Sequence, residues 1–202
     1  MPFPYSYRKG KSLFKKGDLG EYNQCAAQLE QLYESYKNAE NIDEFNAYRI
    51  LYMIHTLNRP DLVKTVASIT NPGHSVKHAL AVRSSLAMGD YCNFFRLYHE
   101  APNMSGYLMD EFLFKERIRT LCKLLKAFRP TVPLNFIATS CGFIHPSKVV
   151  QAGTIKKVSS WLENTGIEIN DNQIDCKESA SAAYRALNEL EAKGVDIKGQ
   201  IH

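Results

Sequence analysis

From residue 18 to residue 128 the apolar positions recur at steps of three and four, the period of amphipathic helices. Asp18 opens the first pattern, in which Tyr22, Cys25, Leu29, Leu32 and Tyr36 share a face. Asp43 is placed to cap a second, where Phe45, Tyr48, Leu51 and Tyr52 form a broad apolar side that continues to Leu57. Asn58-Arg59-Pro60-Asp61 breaks the chain, and Pro60 suits the first turn of a third helix ending near Ile69. Beyond Asn71-Pro72-Gly73, Ser75 to Met88 forms a fourth, with Val76, Ala79, Leu80, Val82 and Leu86 inward. Gly89-Asp90 stops that helix and caps a fifth, Tyr91 to about His99.

A long sixth helix spans about Tyr107 to Phe128 and carries two stripes. Phe114, Ile118, Leu121, Leu125 and Phe128 are apolar, while Lys115, Arg119, Lys123 and Lys126 run beside them as a basic stripe. Gly17-Asp18 and Gly89-Asp90 lie 72 residues apart, each between two helical segments, with Asn58-Arg59-Pro60 between them. Helix–turn–helix units of roughly 30–40 residues predict an all-α solenoid of stacked, tetratricopeptide-like hairpins. No strand pattern precedes residue 165.

After Arg129 the texture changes, which sets a boundary between a helical-repeat part, residues 1–129, and a smaller α+β part, residues 130–202. Leu134 to Ser140 and a segment beginning at Ser147 or Gly153 and ending at Asn164 are short helices. Ile167-Glu168-Ile169, the polar turn Asn170-Asp171-Asn172, and Gln173 to Cys176 read as a β-hairpin. A last helix runs from Glu178 to Lys193. Two helices followed by a hairpin is the order of a winged helix.

The chain has 202 residues, 45% hydrophobic and 23% charged, which fits one globular domain with an appendage and excludes disordered and low-complexity classes. Its apolar runs are too short to cross a bilayer, and residues 1–8 lack a signal-peptide core, so neither a membrane nor the secretory route is expected. Five scattered cysteines fit reduced thiols better than a disulfide framework. The net charge of +4 hides segregation. Residues 1–16 hold five basic residues and no acid, and residues 115–129 hold six against Glu116. Such focused charge is what a phosphate backbone or an acidic protein meets.

Catalytic chemistry finds no support in the residues. Walker, G-x-G-x-x-G and G-x-S-x-G loops are absent. His74 and His78 are four apart, but no C-x-x-C or H-E-x-x-H completes a zinc site. Cys141 with His145, and Cys92 with His99, are loose pairings of the kind that buried structural thiols produce. The expectation is a protein that is not an enzyme and holds no cofactor or metal.

Ala47-Tyr48-Arg49-Ile50-Leu51-Tyr52 and Val76-Lys77-His78-Ala79-Leu80 resemble segments of the GANP branch of the PCI-domain superfamily. So do Gly89-Asp90-Tyr91, Phe94-Phe95-Arg96-Leu97-Tyr98 and Ala101-Pro102-Asn103-Met104. Phe128-Arg129-Pro130 with Pro133, Phe136-Ile137, Gly142-Phe143 and Ile174-Asp175-Cys176-Lys177 continue the likeness, which covers most of residues 17–180. That resemblance implies a PCI domain, a helical solenoid running into a winged helix. It further implies a non-catalytic scaffold that pairs with a second PCI-domain protein and holds a small acidic Sem/DSS-like protein. The expected assembly binds nucleic acid, RNA above all, and serves mRNA splicing, processing or export. Its expected place is the nucleus, with the cytoplasm as a second compartment. Other readings are a free-standing RNA- or DNA-binding module, and a subunit of a proteasome-lid, signalosome or translation-initiation assembly. Candidate phosphate contacts are Lys115, Arg119, Lys123, Lys126, Arg129, Lys148, Lys156 and Lys157. Candidate partner contacts are Trp161, Ile167, Ile169 and Ile174.

Overall fold

The computed structural model describes residues 19–35 and 41–199. The N-terminal basic cluster (Arg8, Lys9, Lys11, Lys15, Lys16) and the Gly17-Asp18 break lie outside them. Nine helices and one two-stranded sheet occur among the described residues, so the fold is mostly helical. The chain divides into two compact units, one of residues 1–88 with 100–111, the other of residues 89–99 with 112–202.

The first unit contains α1 (Leu19–Ser35), α2 (Ile42–His55), α3 (Arg59–Ser68), α4 (His74–Met88) and the beginning of α6 (Ser105–Ala127). Its core is aromatic and aliphatic, with Tyr22, Tyr48, Ile50, Leu51, Val76, Val82, Leu108 and Met109 buried. Asn58 caps α3 by accepting from Asp61 N, and Pro60 occupies the first turn as expected. Asp43 does not cap its own helix. Its carboxylate accepts from Gly73 N at 2.7 Å and Ser75 N at 2.8 Å, capping α4 instead. A side chain at residue 73 would collide with that carboxylate, since a Cβ there falls 2.5 Å from Asp43 Cγ. Buried Tyr48 donates its hydroxyl proton to Glu44 and accepts from Met104 N at 2.9 Å, so α2 also anchors the loop that precedes α6.

The second unit holds α5 (Tyr91–His99), the rest of α6, β1 (Thr131–Pro133), α7 (Leu134–Ser140), α8 (Ala152–Asn164), β2 (Gln173–Asp175) and α9 (Cys176–Gly199). Ile118, Leu121, Leu124 and Leu125 of α6 share one core with Val132, Leu134, Ile137, Val158, Leu162 and Ile174. That shared core is why the boundary between units falls inside α6 rather than after residue 129. Gly89 adopts φ +68° and Asp90 accepts from Asn93 N at 3.0 Å, which is the stop-and-cap read from the sequence.

The hairpin expected at 167–176 is a different object. Residues 167–169 form no strand, and β2 pairs antiparallel with β1, setting Val132 opposite Ile174. Only Asn170 and Gln173 bridge locally, exchanging two 2.9 Å bonds. Asp171 and Asn172 between them both have positive φ, 50° and 58°, as a two-residue type I′ turn requires. Ile167 turns inward, its N–H donating to Leu162 O at 3.0 Å just after Gly166 (φ +78°) has ended α8.

Candidate nucleic-acid interface

Arg117 organises the second unit. From α6 it donates through Nε to Cys141 O and through Nη2 to Gly142 O, both at 3.0 Å, satisfying carbonyls at the end of α7. Its guanidinium lies 4.0 Å over the Phe143 ring, and Phe143 packs 5.2 Å from Trp161 of α8. Gly142 has φ +66° and a position where a Cβ would fall 2.3 Å from Phe95 Cδ1, so α5 closes on bare backbone there. One arginine thus fixes the loop between α7 and α8, and through it the helix that carries Lys156 and Lys157.

The eight expected phosphate contacts fall into two groups. In and just after α6, Arg119, Lys123, Lys126 and Arg129 lie against groups of the same unit. Arg119 pairs with Glu116 and, at 3.1 Å, with Glu191. Lys123 donates to Gly89 O at 2.8 Å. Lys126 Nζ lies 5.2 Å from the centre of the Tyr184 ring. Arg129 donates to Leu125 O and to Phe128 O, closing the end of α6. Lys115 is half-buried. Lys123, Lys126 and Arg129 reach solvent too, and what sets exposed Lys148, Lys156 and Lys157 apart is that, among the described residues, no carboxylate or carbonyl holds their side chains.

Segment 117–162 sharpens this contrast. It contains eight Lys and Arg residues and not one Asp or Glu. That uninterrupted sign is a signal legible in the bare sequence, and dividing the chain at residue 129 hides it. Beyond it the sign reverses. A cleft of about 250 Å³ beside the turn is lined by Gly166, Ile167, Glu168, Asp175, Glu178 and Ser179. Asp175 caps α9 by accepting from Lys177 N at 2.7 Å and Glu178 N at 2.9 Å. Phosphate would be repelled from this acidic turn and drawn toward the loop and helix that precede it.

Three of the four expected partner contacts are core residues. Trp161, Ile167 and Ile174 are 8%, 2% and 0% exposed, because the inner face of α8 and the β1–β2 pairing enclose them. Only Ile169 is partly exposed. Among the large apolar side chains of this unit that reach solvent, Phe128 and Phe136 form a pair whose rings meet edge to face at 5.0 Å. Position 136 could have been found from sequence. Leu134, Ile137 and Ala138 take the buried face of α7 and leave residue 136 on the other side.

Cys141 is fully buried and its thiol is pushed up to about 12, so it stays protonated and unreactive at neutral pH. His145 faces His99 at 5.7 Å and Ser147 Oγ at 2.6 Å. Burial lowers the His99 pKa, with His145, Arg117 and Lys148 adding to the effect. Glu116 shifts the other way, burial raising its pKa against the pull of Arg119. Among the described residues no three His, Cys, Asp or Glu side chains are grouped to hold a metal, and no helix is long and apolar enough to cross a membrane.

The SAC3/GANP family model matches residues 10–160. The chain is 40% identical over 190 residues to the THP3 homolog of Schizosaccharomyces pombe, covering 93% of this chain and 46% of that protein. It is likewise 40% identical over 169 residues to the leukocyte receptor cluster member 8 homolog of Xenopus laevis, covering 81% and 20%. With SAC3 family protein A of Arabidopsis thaliana it shares 33% identity over 188 residues, covering 83% and 18%. The chain therefore spans less than half the length of the curated relatives it matches.

Proposed function

Because the chain belongs to the SAC3/GANP family, we propose that it is a non-catalytic scaffold subunit of an RNA-binding complex that acts in nuclear mRNA maturation. In this reading residues 130–202 act as the winged helix of a PCI domain and meet a second PCI-domain protein. A small acidic Sem/DSS-like protein lies along the helical repeats. RNA is held by its backbone at the cationic segment.

The observation that carries the RNA part is the acid-free segment 117–162, with Lys148, Lys156 and Lys157 exposed and lacking carboxylate partners. A structural surface usually interleaves both signs, whereas a phosphate-binding one keeps a single sign. The acidic turn at 168–178 supports an approach through the loop and α8 rather than through the wing.

The test is affinity purification of the tagged chain from its own cells, then RNA binding by the purified assembly. A second PCI-domain protein and a small acidic polypeptide should be recovered in stoichiometric amounts. Lys156→Glu with Lys157→Glu should weaken RNA binding while leaving that composition intact. Recovery of RNA with no stoichiometric protein would refute the scaffold and make the chain a free-standing binder. Unchanged RNA affinity in the double variant would refute the α8 route.

A further inference from the structure

Phe128 and Phe136 stand 40% and 39% exposed, on the last turn side of α6 and on α7, at a point where the chain turns into β1. Their rings hold each other edge to face, 5.0 Å apart and tilted by 62°. Burial of these two rings within the unit would be the ordinary fate of large apolar side chains. Beside them Arg129 is exposed yet fixed, since Leu125 O and Phe128 O accept from its Nη1. A guanidinium has five N–H donors, so others remain after those two carbonyls are served. No carboxylate occurs anywhere in 117–162.

We infer that Phe128, Phe136 and Arg129 form a stacking platform for unpaired bases, which makes the RNA ligand of this protein single-stranded. This rests on the RNA-binding reading above and names the form of RNA. Three considerations select that occupant. Aromatic faces bind any base through its π surface, and an adjacent cation meets the phosphate of the same nucleotide. A duplex keeps its bases stacked on one another and offers these rings nothing to bind. A protein partner is poorly served, because two rings exposed to this degree present on the order of 150–200 Å², against roughly 800 Å² that each side gives to a stable interface.

The test measures anisotropy of a fluorescein-labelled single-stranded RNA of mixed sequence, and of the same strand annealed to its complement, titrated with the full chain. Phe128→Leu with Phe136→Leu keeps the apolar bulk and should weaken the single strand by roughly tenfold while the duplex is unmoved. Phe128→Tyr with Phe136→Tyr keeps the rings and should restore single-strand affinity, which separates stacking from damage to the fold. Tyr variants as weak as the Leu ones, or equal losses for both RNAs, would overturn the platform. So would unchanged single-strand affinity in the Leu variant while Lys156→Glu with Lys157→Glu still weakens it, and in that case the RNA reading survives alone. Loss of a co-purifying protein with single-strand affinity intact would reassign the rings to a protein contact. A wild-type chain that binds neither RNA, alone or in its purified assembly, would overturn both readings.

Discussion

The cations of α6 and those of segment 148–157 are the same residue types on the same unit, yet the fold treats them differently. Arg117, Arg119 and Lys123 are consumed by carbonyl oxygens and carboxylates of their own unit. Lys148, Lys156 and Lys157 face water without carboxylate partners. A basic stripe at helical spacing therefore does not by itself announce a ligand. Near the C-terminus of a helix, cations serve carbonyls that would otherwise lack partners, and they favour the helix dipole. A cation on a loop or at the outer face of a short helix has no such task, and phosphate is left as its natural counterion. Substitutions in the first group should act on stability, and those in the second on binding.

Arg117→Ala should show the largest stability effect. It removes two charge-assisted bonds and the contact over Phe143, a loss of about 3 kcal/mol, measured by urea unfolding. Arg117→Lys should recover only part, because a point charge cannot reach both carbonyls in a fork. Gly142→Ala comes next, at about 2 kcal/mol, from positive φ and overpacking against Phe95. In the first unit, Asp43→Ala should cost about 1 kcal/mol through loss of the α4 cap and leave RNA affinity untouched, a control that keeps stability and binding apart. Arg119→Ala is expected to cost about 1 kcal/mol, since its bond to Glu191 is partly solvated while its loss leaves the mostly buried Glu116 carboxylate without a counterion.

The smallest effect is a pH dependence with a definite sign. His99 has a folded pKa below its unfolded value, so folding favours the neutral ring. Its contribution is full above the ordinary histidine pKa and is lost as pH falls through the lowered folded value. Glu116, with a raised folded pKa, works in the opposite direction at lower pH. Melting temperature followed from pH 7 to pH 5 (a span of about two units around the histidine range) should therefore fall more for wild type than for His99→Gln. An equal fall in both would assign the dependence elsewhere.

Most of the helices were legible because their apolar residues keep a single period over several turns, and because Pro60 and Gly89-Asp90 punctuate them locally. What was missed has long-range causes. Strand β1 is three residues flanked by Pro130 and ending in Pro133, a poor local strand that exists through pairing with residues 173–175. Ile167 and Ile169 alternate like a strand, but the stop at Gly166 sends Ile167 into the core instead. Asp43 reads as a local cap, and its true partners lie 30 and 32 residues onward. At the candidate site, basic residues were legible as types, but whether each was already spoken for was not. Lys123 and Lys156 look alike until Gly89 O appears against one of them. The acid-free run is a property of the sequence alone, and it crosses residue 129 without a change of sign.

The most direct test of the contrast is the salt dependence of single-stranded RNA binding by the purified assembly, measured for wild type and for two triple variants. One neutralises Lys148, Lys156 and Lys157 to Gln, and the other neutralises Arg119, Lys123 and Lys126. With about 0.7 in the log–log slope for each phosphate contact on a single strand, the first variant should flatten the slope by about 2. The second should leave it close to wild type. A slope flattened by the α6 variant and unchanged by the 148–157 variant would contradict the account.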